Sequence, residues 1–107
     1  MITLEHVSKI FRSGGQDIRA VDDVSFEIAD GELCVLIGPS GSGKTTTMRM
    51  INRLETATEG TIAIDGQDIT SLNVVELRRH IGYVIQQGGL FPYFTVAENV
   101  AVVPKLL

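Results

Sequence analysis

Residues Gly38 to Thr46 read GPSGSGKTT, and this stretch decides the fold. It fits the P-loop pattern G-x-x-x-x-G-K-[ST], with Gly38, Gly43, Lys44 and Thr45 at the fixed positions. Glycines at this spacing allow positive φ, so that successive backbone N–H groups can form a concave anion site at the start of a helix. The stretch therefore predicts a phosphate-binding loop.

The side chains of this loop predict a nucleotide with a magnesium ion. Lys44 would reach the β- and γ-phosphates as a point charge, and the Thr45 hydroxyl would ligate Mg²⁺. The alternative is a glycine-rich turn that binds nothing. The flanking residues argue against that alternative, because Leu33–Ile37 predicts a buried parallel strand before the loop and Thr46–Leu54 predicts a helix after it.

The composition is that of one folded domain. The chain has 107 residues, of which 44% are hydrophobic and 21% charged. A net charge of −4 disfavours a nucleic-acid or anionic-membrane binder, so we expect no nucleic-acid partner. The single cysteine, Cys34, excludes an internal disulfide and is expected in the core. The N-terminus does not resemble a signal peptide, so the cytoplasm is expected.

The remaining segments predict a mixture of strands and helices. Asp30-Gly31 predicts a turn that closes a hairpin onto the P-loop strand. Thr95 and Glu98 have capping-box spacing, which predicts a helix that Pro104 ends or kinks. Further strands are expected over Ile2–Val7, Val21–Ile28, Thr61–Ile64 and Ile81–Ile85, with a polar loop over Arg12–Asp17 and a helix over Asn73–His80.

Several stretches besides the P-loop carry a family likeness. They read LEHVSKIF, AVDDVSFEIADGE, TEGTIAIDG and ELRRHIGYVIQQGGLFPYFTVAENV. Together they resemble, over the whole length, the nucleotide-binding subunit of an ATP-binding cassette (ABC) transporter. The stretches TTTMRMINRLETATEGTI, VIQQGGLFP and VPKLL are similar to importers of osmoprotectants such as glycine betaine, choline or carnitine.

The resemblance implies an α/β fold, in which a partial P-loop NTPase core carries an N-terminal antiparallel β subdomain. Residues 1–107 would be the N-terminal part of the nucleotide-binding domain, ending after the Q-loop, without the helical subdomain and the Walker B half. The full-length subunit would hydrolyse ATP to drive import, whereas this chain alone is expected not to be catalytic. Two alternatives stay open: a truncated, non-catalytic nucleotide-binding module, and another P-loop enzyme such as a small-molecule kinase.

The resemblance also implies roles for individual residues, with ATP and Mg²⁺ as cofactors. Lys44 and Gln86 would be catalytic, and Thr45 and Gln86 would meet the metal. Phe11 would stack on adenine; the alternative is a phenylalanine of the core. For Gln86 the alternative is an exposed residue at the end of a strand. The nucleotide contacts implied are Phe11, Gly38, Ser40, Gly41, Ser42, Gly43, Lys44, Thr45 and Thr46.

Two protein partners are implied. A membrane-spanning permease would bind the Q-loop region through Phe91, Tyr93 and Phe94, although these aromatics could also only anchor their loop. The family more often has histidine and an aliphatic residue at the positions of Tyr93 and Phe94. A second ATPase subunit would complete a dimer, and the protein would sit on the cytoplasmic face of the membrane through the permease.

Two short stretches imitate family motifs. Ser13–Gln16 reads SGGQ, as in the signature motif, but it precedes the P-loop and is interpreted as a loop. Ile62–Asp65 imitates the Walker B pattern, but Gly66 follows instead of a glutamate. We therefore expect a hairpin turn there.

Overall fold

An antiparallel sheet of four strands forms the base of the molecule. The computed structural model describes all residues from 1 to 107. The spatial order of the strands is β2-β1-β3-β4. The strands are β1 (Ile2–Ser13), β2 (Gln16–Ile28), β3 (Glu59–Ile64) and β4 (Gln67–Asp68), and the helices are α1 (Lys44–Ile51), α2 (Val74–Arg79) and α3 (Val96–Leu106), with a 3₁₀ turn at Ile69–Ser71.

Two tight turns join neighbouring strands. Gly14 and Gly15 have φ of 58° and 79°, and Asp65 and Gly66 have φ of 51° and 79°. Positive φ at both central residues is typical of the two-residue hairpin turn. The turns expected at the two motif-like stretches are therefore present, at Gly14-Gly15 and at Asp65-Gly66. The polar loop expected over 12–17 is shorter than predicted, because the strands continue to Ser13 and resume at Gln16.

The hydrophobic core lies on one face of this sheet. Leu4 pairs with Phe26 on one side and with Ile62 on the other, so it stands at the centre of the three long strands. Helix α1 packs onto this centre through Met50, which is 1% exposed. The buried hydrophobic residues are Leu4, Val7, Val21, Met50, Ile62, Ile69 and Leu77.

Two arginines fix the C-terminal end of α1. The Arg78 guanidinium donates hydrogen bonds to the carbonyl oxygens of Asn52 (3.1 Å) and Arg53 (3.0 Å). Arg53 in turn donates to the carbonyl oxygens of Ile69 (3.3 Å) and Leu72 (3.0 Å). The last carbonyls of a helix lack partners within it, so the bonds from Arg78 satisfy carbonyls at the end of α1 and tie that end to α2. The bonds from Arg53 tie the same end to the 3₁₀ turn.

The strands predicted at Leu33–Ile37 and Ile81–Ile85 are wrong for this structure. Neither segment pairs with another strand, and the backbone N–H groups of 33–37 and 82–85 donate to no backbone carbonyl. Leu33 is 90% exposed and Ile37 91%. The apolar pattern of both segments is typical of a strand. A strand also needs a neighbouring strand to pair with, and the four-stranded sheet includes neither segment. For the same reason the Asp30-Gly31 turn forms without closing a hairpin, and Cys34 is exposed rather than buried.

The helices differ from expectation mainly at their ends. Helix α1 begins at Lys44 and ends at Ile51, earlier than the predicted 46–54. Helix α3 continues through Pro104 to Leu106, so it does not end at the proline, although Pro104 has no N–H to donate to the carbonyl oxygen of Val100. The longest helix has 11 residues, and no helix combines the length and apolar content needed to cross a bilayer.

Candidate nucleotide-binding site

The predicted phosphate-binding loop encloses a cavity of about 400 Å³ at the start of α1. Only one of its nine lining residues, Ala20, is hydrophobic. Gln86, which is 42 positions from Lys44 in the sequence (86 − 44), lies in the same wall. The lining residues are Ala20, Ser40, Gly41, Ser42, Gly43, Lys44, Thr45, Thr46 and Gln86.

Unpaired backbone donors line this cavity. Gly41 and Gly43 have φ of 84° and 93°, which is the left-handed region that the motif predicts for them. The N–H groups of Gly41, Gly43 and the first three residues of α1, 44–46, donate to no acceptor within the chain. These donors and the positive end of the α1 dipole make the cavity suited to an anion.

The Lys44 side chain reaches back to the first two residues of the loop. Its ammonium group donates hydrogen bonds to the carbonyl oxygens of Gly38 and, at 2.9 Å, of Pro39. Carbonyl oxygens are weaker partners for an ammonium group than phosphate oxygens, because only the phosphate is charged. The lysine is thus held next to the anion site by bonds that a phosphate can replace.

The side chains of the phosphate cavity offer enough oxygen ligands for a cation such as Mg²⁺ only when a phosphate is bound there as well. Thr45 and Gln86 offer a hydroxyl and an amide oxygen in the same wall, and no aspartate or glutamate lines the cavity. No group of three or more His, Cys, Asp or Glu residues is placed to hold a metal ion. Mg²⁺ prefers oxygen ligands and usually keeps waters and substrate phosphates. The residues present therefore fit Mg²⁺ bound with a nucleotide rather than Mg²⁺ alone.

The loop is anchored on β2 at a position that the sequence did not reveal. A Cβ added at Gly43 would stand 2.5 Å from the carbonyl oxygen of Ala20, so the loop and the strand touch at their backbones. Ala20 also lines the cavity. Nothing in the motif specifies this contact, and the small size of Ala20 does not single it out, because β2 also contains Ser25.

Phe11 lies on β1 near this anchor, outside the wall of the cavity. It pairs across the strands with Ile18, which is two residues from Ala20 on β2. Its ring is half-buried, and the ammonium group of Lys9 lies 5.1 Å from the ring centroid. The ring is therefore neither a core residue nor in contact with the phosphate loop.

A second cavity of about 580 Å³ lies beside the first and is mostly apolar. Val35 and Leu36 of the unpaired segment face Met48 and Ile51 of α1 across it. Lys44, Thr45 and Gln86 belong to both walls. The phosphate cavity thus adjoins an apolar cavity, part of whose lining, such as Val35 of the unpaired segment, is exposed.

The aromatic residues after Gln86 form an exposed loop before α3. The rings of Phe91 and Phe94 have centroids 4.9 Å apart, while Tyr93 is 97% exposed. The amide of Asn99 binds the loop at both ends, donating to the carbonyl oxygens of Phe91 and Phe94 at 3.3 Å each. Two of the three aromatics thus contact each other, and the third contacts almost nothing.

The predicted capping box of α3 is confirmed. The Thr95 hydroxyl accepts from the Glu98 N–H (3.1 Å), and the Glu98 carboxylate accepts from the Thr95 N–H (2.9 Å). The backbone N–H and the side chain of Thr95 stabilise the charged carboxylate and lower the pKa of Glu98 below its ordinary value. Glu98 is therefore explained as a helix cap.

A glycine loop with free N–H groups, followed by a lysine and a threonine at the first turn of a helix, defines a P-loop nucleotide-binding domain. The family model described as ABC transporter matches residues 21–105. The chain belongs to the ABC transporter family.

Similar proteins of known function include ATP-binding proteins of osmoprotectant and choline transport. The chain is 53% identical to the osmoprotectant import ATP-binding protein OsmV of Salmonella typhimurium and 56% identical to the choline transport ATP-binding protein OpuBA of Bacillus subtilis. Each match covers 100% of this chain, and 28% and 27% of the two relatives. The chain thus spans little more than a quarter of the length of these relatives.

A solved structure has the same fold as this chain. A dimeric ATP-binding cassette in a post-hydrolysis state, bound to ADP and Pi, superposes with a TM-score of 0.85 at 36% identity. The match covers 99% of this chain and 47% of that cassette. The predicted fold class, a partial P-loop core with an antiparallel β subdomain, is confirmed.

Proposed function

We propose that residues 1–107 are the ATP-binding part of an ABC ATPase that energises import of an osmoprotectant such as glycine betaine, choline or carnitine. The observation that carries the proposal is the convergence of the phosphate loop and Gln86 on one polar cavity. The two named relatives, an osmoprotectant import and a choline transport ATP-binding protein, support the substrate class.

In this proposal the loop holds the triphosphate of ATP. The free N–H groups of residues 43–46 donate to phosphate oxygens, and Lys44 exchanges its carbonyl partners for the β- and γ-phosphates. The remaining contacts are Gly38, Ser40, Gly41, Ser42 and Thr46, with Phe11 stacking on the adenine.

Thr45 and Gln86 would hold Mg²⁺ together with phosphate oxygens and water. The ion supplies charge neutralisation at the phosphates when it is bound. Gln86 comes from a segment without backbone hydrogen bonds, so its amide can adjust to the occupied site. Its role would be to position water and metal rather than to accept a proton, because an amide is not a base.

Residues 1–107 are proposed to bind ATP without hydrolysing it. No carboxylate lines the cavity, and phosphoryl transfer needs charge stabilisation and water positioning from more than one side. The remaining groups would come from residues outside this chain and from a second ATPase subunit.

The protein partner is proposed to be a membrane-spanning permease that binds the aromatic loop. Tyr93 is free for such a contact, and aromatic residues often anchor interfaces. The ATPase would then act at the cytoplasmic face of the membrane.

The test is uptake of labelled glycine betaine, choline and carnitine by cells after an osmotic upshift. Cells whose full-length protein carries Lys44→Ala should lose uptake of at least one of these solutes, while a Lys105→Ala variant, altered at an exposed lysine of α3, should retain it. Unchanged uptake of all three solutes with Lys44→Ala would refute the transport proposal.

A further inference from the structure

Lys9 makes three contacts that hold its ammonium group in one place. The group donates a hydrogen bond to the carbonyl oxygen of Thr56 (2.7 Å), and it lies 3.8 Å from the carboxylate of Glu55. It also lies 5.1 Å from the centroid of the Phe11 ring. The Lys9 side chain is 15% exposed, which is low for a lysine on a small domain.

The contact with Phe11 is attractive in itself. A cation within about 6 Å of an aromatic centroid is drawn to the negative face of the ring. Lys9 and Phe11 are two residues apart on β1, the spacing that places side chains on the same side of a strand. Since the ammonium group is fixed by Thr56 and Glu55, the ring is fixed with it.

Lys9 lies over one face of the ring, and no other cation is placed over the ring. Phe11 lies beside Ile18, two residues along β2 from Ala20, and Ala20 is in the wall of the phosphate cavity. Paired strands lie about 5 Å apart and two residues of a strand span about 7 Å, so Phe11 lies within about 10 Å of that wall. A nucleotide whose phosphates occupy the cavity can therefore reach the ring with its base.

We propose that Lys9 is a positioning residue for nucleotide binding, which holds the Phe11 ring so that its free face stacks on the base. The inference rests on the proposed function, because it requires that the cavity takes a nucleotide. Lys9 touches neither base nor phosphate in this proposal. Its effect arises because a ring that is ordered in advance loses less conformational freedom when the base binds.

The experiment compares two ligands that differ only in possessing a nucleoside. The affinities of ATP and of inorganic tripolyphosphate are measured by calorimetry for the wild-type chain and for Lys9→Met, Lys9→Arg and Phe11→Leu. Methionine keeps the length of the side chain without its charge, and arginine keeps the charge. Circular dichroism establishes that each variant is folded.

We expect Lys9→Met to weaken ATP binding by about three- to tenfold and to leave tripolyphosphate binding unchanged. Lys9→Arg should restore most of the ATP affinity, and Phe11→Leu should behave like Lys9→Met. Equal weakening of both ligands would show that Lys9 acts on the phosphates or on folding, and no change in either would show that it has no role; both results overturn the inference.

The affinities of the wild-type chain separate the role of Lys9 from the stacking role proposed for Phe11. If wild type binds ATP no better than tripolyphosphate, stacking by Phe11 is refuted and the inference fails with it. If wild type prefers ATP and Lys9→Met keeps that preference, only the inference fails.

A second measurement follows the ring position itself. The chain contains no tryptophan, so Phe11→Trp introduces a single tryptophan at the ring position, whose emission can be excited selectively. We expect ATP, but not tripolyphosphate, to change its emission, and an added Lys9→Met to reduce that change. An emission change that is the same with and without Lys9 would overturn the inference.

Discussion

Gly43 lies directly against the main chain of Ala20, where a Cβ on the glycine would approach the Ala20 carbonyl oxygen to 2.5 Å. Gly43 also has φ of 93°, which an alanine adopts only with strain. The phosphate loop is therefore fixed to the sheet by a backbone contact that permits no side chain. Gly41 has a similar φ of 84° but open space around its Cα.

This pair of glycines gives the first prediction. Gly43→Ala should lower the free energy of unfolding by more than Gly41→Ala, because both variants carry backbone strain of about 1–2 kcal/mol but only the first also displaces β2 or the loop. Urea denaturation of the two variants measures the difference. Equal losses would mean that the contact with Ala20 is not maintained in solution.

The second prediction concerns Lys44. Lys44→Met should weaken ATP binding at least tenfold, since the positive charge at the phosphate loop is lost while the side-chain length is kept. The affinity is measured by calorimetry with Lys105→Met as control, because Lys105 is exposed on α3. If both variants bound ATP alike, the charge would not act at the cavity.

The third prediction separates the metal from the phosphates. Thr45→Val removes only the hydroxyl, so ATP binding in EDTA should be unchanged, whereas the gain in affinity that Mg²⁺ gives the wild-type chain should be reduced. Thr61→Val is the control, since Thr61 lies on β3 and lines no part of the phosphate cavity. A full Mg²⁺ gain in Thr45→Val would assign the metal to other groups.

The fourth prediction is a pH dependence at the capping box. The hydrogen bonds from Thr95 lower the pKa of Glu98, so the stabilising effect of its charged form is complete above the ordinary glutamate pKa and is lost as the pH falls through the lowered pKa. The ellipticity of α3 should therefore exceed that of Glu98→Gln at neutral pH. The difference should disappear in acid; a constant difference would contradict the cap.

The fifth prediction tests the aromatic loop. Tyr93→Ala should weaken binding to a permease without altering the thermal unfolding midpoint, because Tyr93 contacts almost nothing in the chain. Phe91→Ala should lower that midpoint, because Phe91 packs on Phe94. The binding is measured by co-purification with the full-length protein; undiminished binding by Tyr93→Ala would remove Tyr93 from the interface.

Local signals in the sequence were sufficient for the phosphate loop, the two glycine turns and the cap of α3. Each of these depends on a few neighbouring residues with a specific backbone requirement, such as positive φ at Gly14 and Gly43. The assignment of Gln86 to the cavity depended on the resemblance rather than on its surroundings in the sequence.

The errors arose where a structure depends on distant partners. Leu33–Ile37 and Ile81–Ile85 have apolar patterns typical of buried strands, but pattern alone does not supply the neighbouring strand that would pair with them. The contact of Gly43 with Ala20 also joins residues far apart in the sequence. The contact of Lys9 with Phe11 is local, and it was not predicted either. Spacing on β1 could have indicated the latter pair, since its residues are two apart.

The unpaired segments also have a consequence for hydrogen exchange. One side of the phosphate cavity rests on the sheet and α1, whereas Gln86 reaches it from a segment whose backbone N–H groups make no hydrogen bonds to the backbone. Amide protons of β1 and β3 should therefore exchange slowly, and those of 82–86 rapidly. A nucleotide that engages Gln86 would have to order this side of its own site, so slower exchange at 82–86 would report how much of the binding free energy goes into that ordering.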